Sequence, residues 1–257
     1  MAIKSAMEIV KEARSDNKIT AKEIINNVFS GFIEFHGDRD GNDDPAIIGG
    51  IAIFHSEPLT VIATNRGKTI KEHLETHFGC PTPSGYKKAL RLARQAAKFN
   101  RPLICLINTP GAYPGKSAEE NGQGAAIAQD LLQIGKLPIP IITVIYGEGG
   151  SGGALALACG DQVWMLENST YSILSPEGFA SILWKDKTRI SEAAELMQMT
   201  PQSLLNNNVI EGIIKEEKDH EATCQYISSV LVKELSKLKS LSKEELMSKR
   251  KDRFRQF

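Results

Sequence analysis

An α/β fold is predicted for this 257-residue chain, and three observations carry the prediction. Continuous apolar runs, as strands buried on both faces require, stand at 102–108 (PLICLIN) and 139–146 (IPIITVIY). Each run leads into a glycine-bearing loop and then into a stretch with helical periodicity. Capping signals and turn clusters recur at intervals suited to strand–loop–helix units.

The elements follow in order. The first 35 residues read as helix, with Ala6, Ile9, Val10 and Ala13 at helical spacing. Thr20 and Glu23 then form a capping box ahead of a second stripe through Ile24, Val28, Phe32 and Ile33. HGDRDGNDDP (36–45) is a polar turn cluster, after which the period changes. AIIGGIAIF (46–54) and LTVIAT (59–64) are expected to pair as a hairpin. SGYKKALRLARQAAKF (84–99) is a helix with Tyr86, Leu90, Ala93 and Ala97 on one face. After the 102–108 strand, TPGAYPGK leads into a helix for which Ser117 and Glu120 supply a capping box. The 139–146 strand runs into the loop GEGGSGG (147–153), a helix ALALAC stopped at Gly160, and a strand DQVWMLE (161–167). A short strand and helix fill 171–186, and several helices follow; Thr200 caps one of them, with Pro201 in its first turn. NVIEGII (208–214) is the last strand candidate, and 218–257 is helical and highly charged. The expected division is a helical segment over 1–45, an α/β core over 46–215 and a helical tail over 216–257.

Composition narrows the function. Thirty-one Lys+Arg balance 31 Asp+Glu, which argues against a general affinity for nucleic acid or membrane surfaces. The longest apolar runs fall far short of the ~20 residues a membrane-spanning helix needs, and the charged N-terminus lacks a signal-peptide core. Cys80, Cys105, Cys159 and Cys224 lie far apart with no C-x-x-C pair, so neither a zinc ribbon nor a disulfide framework is indicated. A cytoplasmic protein with reduced thiols is expected.

The most informative stretch is GEGGSGGALA, in which five of the residues 147–153 are glycine. Glycine lets backbone N–H groups approach a ligand without an intervening Cβ, and a helix N-terminus adds unpaired donors. Three chemistries fit. Gly147-x-Gly149-x-x-Gly152 matches a dinucleotide fingerprint, with Glu167 at the end of the next strand. Gly149-x-Ser151-x-Gly153 matches a nucleophile elbow, with Asp161 or Glu177 and then His220 in hydrolase order. The third uses main chain only, as an oxyanion hole of loop amides. Against the first, the helix is short and glycine is over-supplied; against the second, His220 sits in the solvated run KEEKDHEAT. The second loop, Thr109 to Gly115, favours the third, because two loops on neighbouring strands supply N–H donors from two sides of one oxygen. An acyl-CoA enzyme needs such an arrangement to stabilise a thioester enolate.

These residues carry a family resemblance. NTPGAYPG-x-x-AEE-x-GQG, GEGGSGGALALA and ILSPEGFASILWKD closely resemble the α subunits of bacterial acetyl-CoA carboxylase carboxyltransferase. GDRDGNDDPAIIGGIA, FGCPTPSGYKKALRL and AAELM at 193–197 match as well, so the similarity runs from about residue 20 to 215. Ser84, where the family carries an acid, and a shorter N-terminal helical region are departures. The resemblance implies a crotonase-like (ClpP/crotonase) spiral of ββα units with flanking helices. It implies transfer of a carboxyl group from carboxybiotin, borne on the biotin carboxyl carrier protein, to acetyl-CoA, giving malonyl-CoA for fatty acid synthesis. It further implies a homologous β subunit with a zinc ribbon in an α2β2 assembly, biotin carboxylase as a further partner, no metal on this chain, and a biotin side of the site on α. Such a reaction develops oxyanions on biotin and on the thioester, and calls for donors more than for a side-chain base. The expected catalytic donors are the amides around Gly149, Gly150, Gly152 and Gly153. Gly111, Ala112, Tyr113 and Glu148 are expected to bind substrate. A stand-alone crotonase-type hydratase or isomerase is the alternative, and it requires acidic side chains poised over the acyl chain.

The remaining motifs read as structural. His73 and His77 are spaced like two metal ligands but lack a third nearby. Lys87, Arg91, Arg94 and Lys98 form a basic stripe read as a solvated face, and KRKDRFR (249–255) reads as a solvated helix end. Glu119 is a candidate substrate contact and Glu120 a capping residue. Ser151 reads as a small loop residue, not a nucleophile.

Overall fold

The computed structural model of the chain describes residues 4–256; residues 1–3 of the expected N-terminal segment and residue 257 of the expected tail lie outside them. Two helices, α1 (Ala6–Ala13) and α2 (Ala21–Val28), open the chain, each with a reciprocal capping box, Ser5 with Glu8 and Thr20 with Glu23. The second helix stops at Val28 and does not reach residue 35. Phe29 is extended and Gly31 lies at φ +59°, so Ser30–Glu34 forms β1, antiparallel to β2 (Ile47–Phe54). Phe32 and Ile33, expected on a helical stripe, are therefore residues of an edge strand.

The hairpin forms as expected from β2 and β3 (Glu57–Thr64). From β3 onward the sheet is parallel. It runs through β4 (Leu103–Thr109), β5 (Ile141–Gly150) and β6 (Gln162–Leu166). A short β7 (Thr170–Ser172) pairs with the far end of β5, and β8 (Gly212–Ile214) adds to β6, giving eight strands in one sheet. Between them lie α3 (Ile70–Glu75), α4 (Pro83–Lys98), α5 (Lys116–Glu120), α6 (Gln123–Ile134) and α7 (Ser151–Leu155). Further on come α8 (Pro176–Trp184), α9 (Ile190–Leu196), α10 (Pro201–Asn206), α11 (His220–Lys239) and α12 (Lys243–Arg255).

Strand alternation divides the core. Val61, Ile104, Leu106, Ile142 and Val144 pack with α2 and α11 on one face of the sheet. Ile62, Cys105, Ile107 and Ile145 pack with α4 and α7 on the other. Both faces are covered, which explains why β4 and β5 are buried along their whole length and begin with apolar runs.

Further boundaries differ from expectation: the helix expected over ALALAC up to Gly160 instead spans Ser151–Leu155, and the strand expected over 208–214 is confined to Gly212–Ile214. The helix after the second loop starts at Lys116, with Gly115 as its uncapped N-terminal residue, so the Ser117–Glu120 box does not form; Glu120 instead pairs with Lys116 at 3.5 Å. Gly122, at φ +83°, then breaks the chain before α6. Residues 147–150 are strand, not loop, because Glu148, Gly149 and Gly150 pair with Thr170, Tyr171 and Ser172 of β7. The basic tail is not simply solvated either. Arg250 is 2% exposed, holds Asp161 through Nε (2.8 Å) and Nη2 (2.7 Å), and donates to the carbonyls of Leu137 and Ile139. In the basic stripe, Lys87 pairs with Asp40, Arg91 donates to the carbonyls of His36 and Gly37, and Arg94 donates to Gln133.

Candidate active site

Parallel pairing of β4 with β5 brings both glycine-bearing loops to the same end of the sheet, with Thr109 opposite Gly149. The first loop is pinched at its start: Thr109 Oγ1 accepts from the Gly111 amide at 3.1 Å and donates to the Gly111 carbonyl at 2.8 Å. A Cβ at Gly150 would overlap the carbonyl group of Pro110, and a Cβ at Gly153 would lie 2.5 Å from the Ala112 nitrogen. The two loops therefore meet backbone to backbone, and glycine is required at those two contacts. At Ser151 the chain turns from strand to helix through φ +52°, with its side chain exposed. The amides of the first turn of α7 have no intrahelical acceptor, and Gly152 is partly open to solvent.

The structure thus gathers Gly149, Gly150, Gly152, Gly153, Gly111 and Ala112 into one main-chain platform. Tyr113 lies at its rim. Its amide donates to the Pro81 carbonyl, and its ring stacks on His77 with centroids 4.2 Å apart. Glu148 is 8% exposed, and both its oxygens are engaged, by Arg14 Nε at 2.7 Å and Arg66 Nη1 at 3.0 Å. A substrate group reaching that carboxylate would have to displace a guanidinium. Glu119 and Glu120 are exposed on α5. Beside the platform opens an apolar cleft of about 500 Å³, lined in part by Ser151, Gly152, Leu155, Tyr171, Ile173 and Phe179.

Support comes from beneath. Tyr86, fully buried on α4, donates its hydroxyl to the Gly153 carbonyl at 3.2 Å, and burial raises its pKa well above the usual phenol value. Asn108 Oδ1 accepts from the Glu148 amide at 2.9 Å. Sequence reasoning placed Tyr86 only as an apolar face residue and missed Asn108, Arg14 and Arg66. A polar residue ending an otherwise apolar strand was the available signal for Asn108; Arg14, 134 residues from Glu148, gave none.

The rival constellations are not assembled. His220 Nε2 lies 3.0 Å from the Asn17 carbonyl, Asp161 is bound by Arg250, and Glu177 by Arg14. Gly147 and Gly149 sit within β5 instead of in a phosphate-binding turn, and Glu167 accepts from the Glu216 amide. His73 packs near the ring of Phe78.

Parallel strands deliver two interlocked loops to one apolar cleft in an α/β protein, in keeping with the crotonase-like fold that the family resemblance implies. A family described as acetyl co-enzyme A carboxylase carboxyltransferase-like matches residues 3–257. A Streptococcus thermophilus relative, named acetyl-coenzyme A carboxylase carboxyl transferase subunit alpha, is 51% identical over 250 residues, 97% of this chain and 98% of the relative. A Clostridium tetani protein named for subunits beta/alpha of the same enzyme is 48% identical over 95% of this chain, which spans 43% of that protein. Among solved structures, transcarboxylase 12S is similar in fold, with a TM-score of 0.71 at 19% identity, covering 89% of this chain and 44% of that one. The chain belongs to the acetyl co-enzyme A carboxylase carboxyltransferase-like family.

Proposed function

We propose that this chain is the α subunit of an acetyl-CoA carboxylase carboxyltransferase, passing a carboxyl group from carrier-borne carboxybiotin to acetyl-CoA to give malonyl-CoA. The observation that carries the proposal is the main-chain platform, where Gly150 and Gly153 admit the backbone of the Pro110–Ala112 loop. Bound carboxybiotin supplies the activated carboxyl group. The platform suits it because the first turn of α7 is partly open to solvent at Gly152 and the adjoining cleft is lined by apolar groups such as Leu155 and Phe179, as a bicyclic ring with one polar edge requires.

In this reading the amides around Gly149, Gly150, Gly152 and Gly153 hold the ureido oxygen, where negative charge develops. Gly111 and Ala112 complete that pocket, and Tyr113 forms its rim. Glu148 anchors the head of the platform through Arg14 and Arg66. The partners belong to the same proposal: a zinc-ribbon β subunit in an α2β2 assembly that brings acetyl-CoA, the biotin carboxyl carrier protein, and biotin carboxylase, all in the cytoplasm. Exposed Ile173, Ile182, Leu183 and Leu196 beside the cleft support a surface that a partner covers. No helix among the described residues is long and apolar enough to cross a membrane.

The test is malonyl-CoA-dependent carboxylation of biocytin by the purified chain, with and without a co-expressed β subunit. Activity only with the partner is expected. Activity from this chain alone would overturn the division of the site between subunits, and a well-formed complex without activity would overturn the function.

A further inference from the structure

We infer that Arg14 is a positioning residue that fixes one wall of the cleft, helix α8, against the main-chain platform. The inference rests on the function proposed above. Arg14 is the C-cap of α1, a helix anchored by buried Val10 and Ala13. Its guanidinium reaches two separate elements. Nε donates to Glu148 Oε1 at 2.7 Å, and Nη1 donates to Glu177 Oε1 at 2.7 Å, with Nη2 3.4 Å from the second Glu177 oxygen. Glu148 lies two residues before Gly150 on β5, and its other oxygen and its amide are held by Arg66 and Asn108. It is the fixed end of the strut.

Glu177 is the movable end. It stands in the first turn of α8, two residues before Phe179, which lines the cleft together with Ser151 and Gly152. Helix α8 buries only Pro176 and Ala180, while Ile182 and Leu183 are 76% and 61% exposed. So little burial leaves the orientation of α8 dependent on specific polar ties, and the Arg14 pair is the one that leads to the platform. The contact with two carboxylates holds Arg14 charged and lowers the Glu177 pKa, so the strut persists at neutral pH. Arg14 touches none of the residues expected to meet substrate except Glu148, so its effect is on the width and aim of the cleft.

The experiment uses the complex with its β subunit and the variants Arg14→Met, Arg14→Lys, Glu177→Gln and the Arg14→Met/Glu177→Gln double. Arg14→Met is expected to raise KM for biocytin about tenfold, the scale of a charged hydrogen bond, while KM for malonyl-CoA is unchanged. Glu177→Gln should reproduce most of that effect, the double variant should add little to it, and Arg14→Lys should restore part of it. Amide hydrogen exchange over 176–184, measured on the chain alone so that no partner covers Ile182 and Leu183, should quicken about tenfold in Arg14→Met and Glu177→Gln. Unchanged exchange, or equal losses for both substrates accompanied by a lowered Tm, would overturn the inference. A parent complex inactive toward biocytin would overturn the proposed function instead, and the exchange measurement would still decide the strut.

Discussion

At the scale of single residues, two buried polar groups beneath the platform behave differently. Tyr86 is satisfied by the Gly153 carbonyl, whereas Asp130 on α6 is wholly buried with neither carboxyl oxygen hydrogen-bonded. Burial pushes the Asp130 pKa up to about 9, against a small opposing pull from the Arg94 charge. Between the ordinary carboxylate range, about pH 4, and pH 9, the folded chain keeps a proton that the unfolded chain releases. The contribution of Asp130 to stability is therefore full below about pH 4 and is lost as pH rises toward 9, with a slope of at most ~1.4 kcal/mol per pH unit. Urea unfolding at pH 5.5 and pH 8.5 is expected to show a smaller loss of stability in Asp130→Asn than in the parent. Equal losses would place the proton elsewhere.

At the scale of elements, the sequence was most legible where one physical signal acted alone. The unbroken apolar runs of β4 and β5 and the Thr20–Glu23 cap each appear where their pattern placed them. It was least legible where tertiary pairing overrode local pattern. Phe32 and Ile33 fit a helical stripe, but α2 ends at Val28, Phe29 is extended, and β2 offers hydrogen bonds to β1. GEGG has turn composition yet is strand, because β7 supplies a partner strand at Thr170–Ser172. Charge in the tail concealed a clasp in the same way: Arg250 on α12 binds Asp161 and the carbonyls leading into β5. Arg250→Met leaves the Asp161 carboxylate, its side chain 5% exposed, with the Ile141 amide but no counter-charge, and should cost about 3–5 kcal/mol. Thermal unfolding would reveal it as a large drop in Tm, whereas a change within error would mean that α12 is not held by this pair.

At the scale of the whole molecule, the sheet works as a device for bringing distant loops together. Gly111 and Gly153 are 42 positions apart in the sequence, yet the parallel register of β4 and β5 sets them in contact. The glycines themselves were visible in the sequence as candidate donors; that the loops interlock was not, because it depends on strand register. The reach of Arg14 across to β5 and α8 was likewise invisible, since it depends on where α1 packs. The central claim is that this interlock of main chains is what supports carboxyl transfer. Its most direct test is the rate of biocytin carboxylation by assembled complexes carrying Gly150→Ala or Gly153→Ala, beside Gly124→Ala, whose added methyl meets nothing within 4 Å. With assembly verified, the two platform variants are expected to lose ~10²–10³ in rate, the effect of a misplaced oxyanion donor, while Gly124→Ala keeps the parent rate. Parent-like rates in the two platform variants would contradict the account.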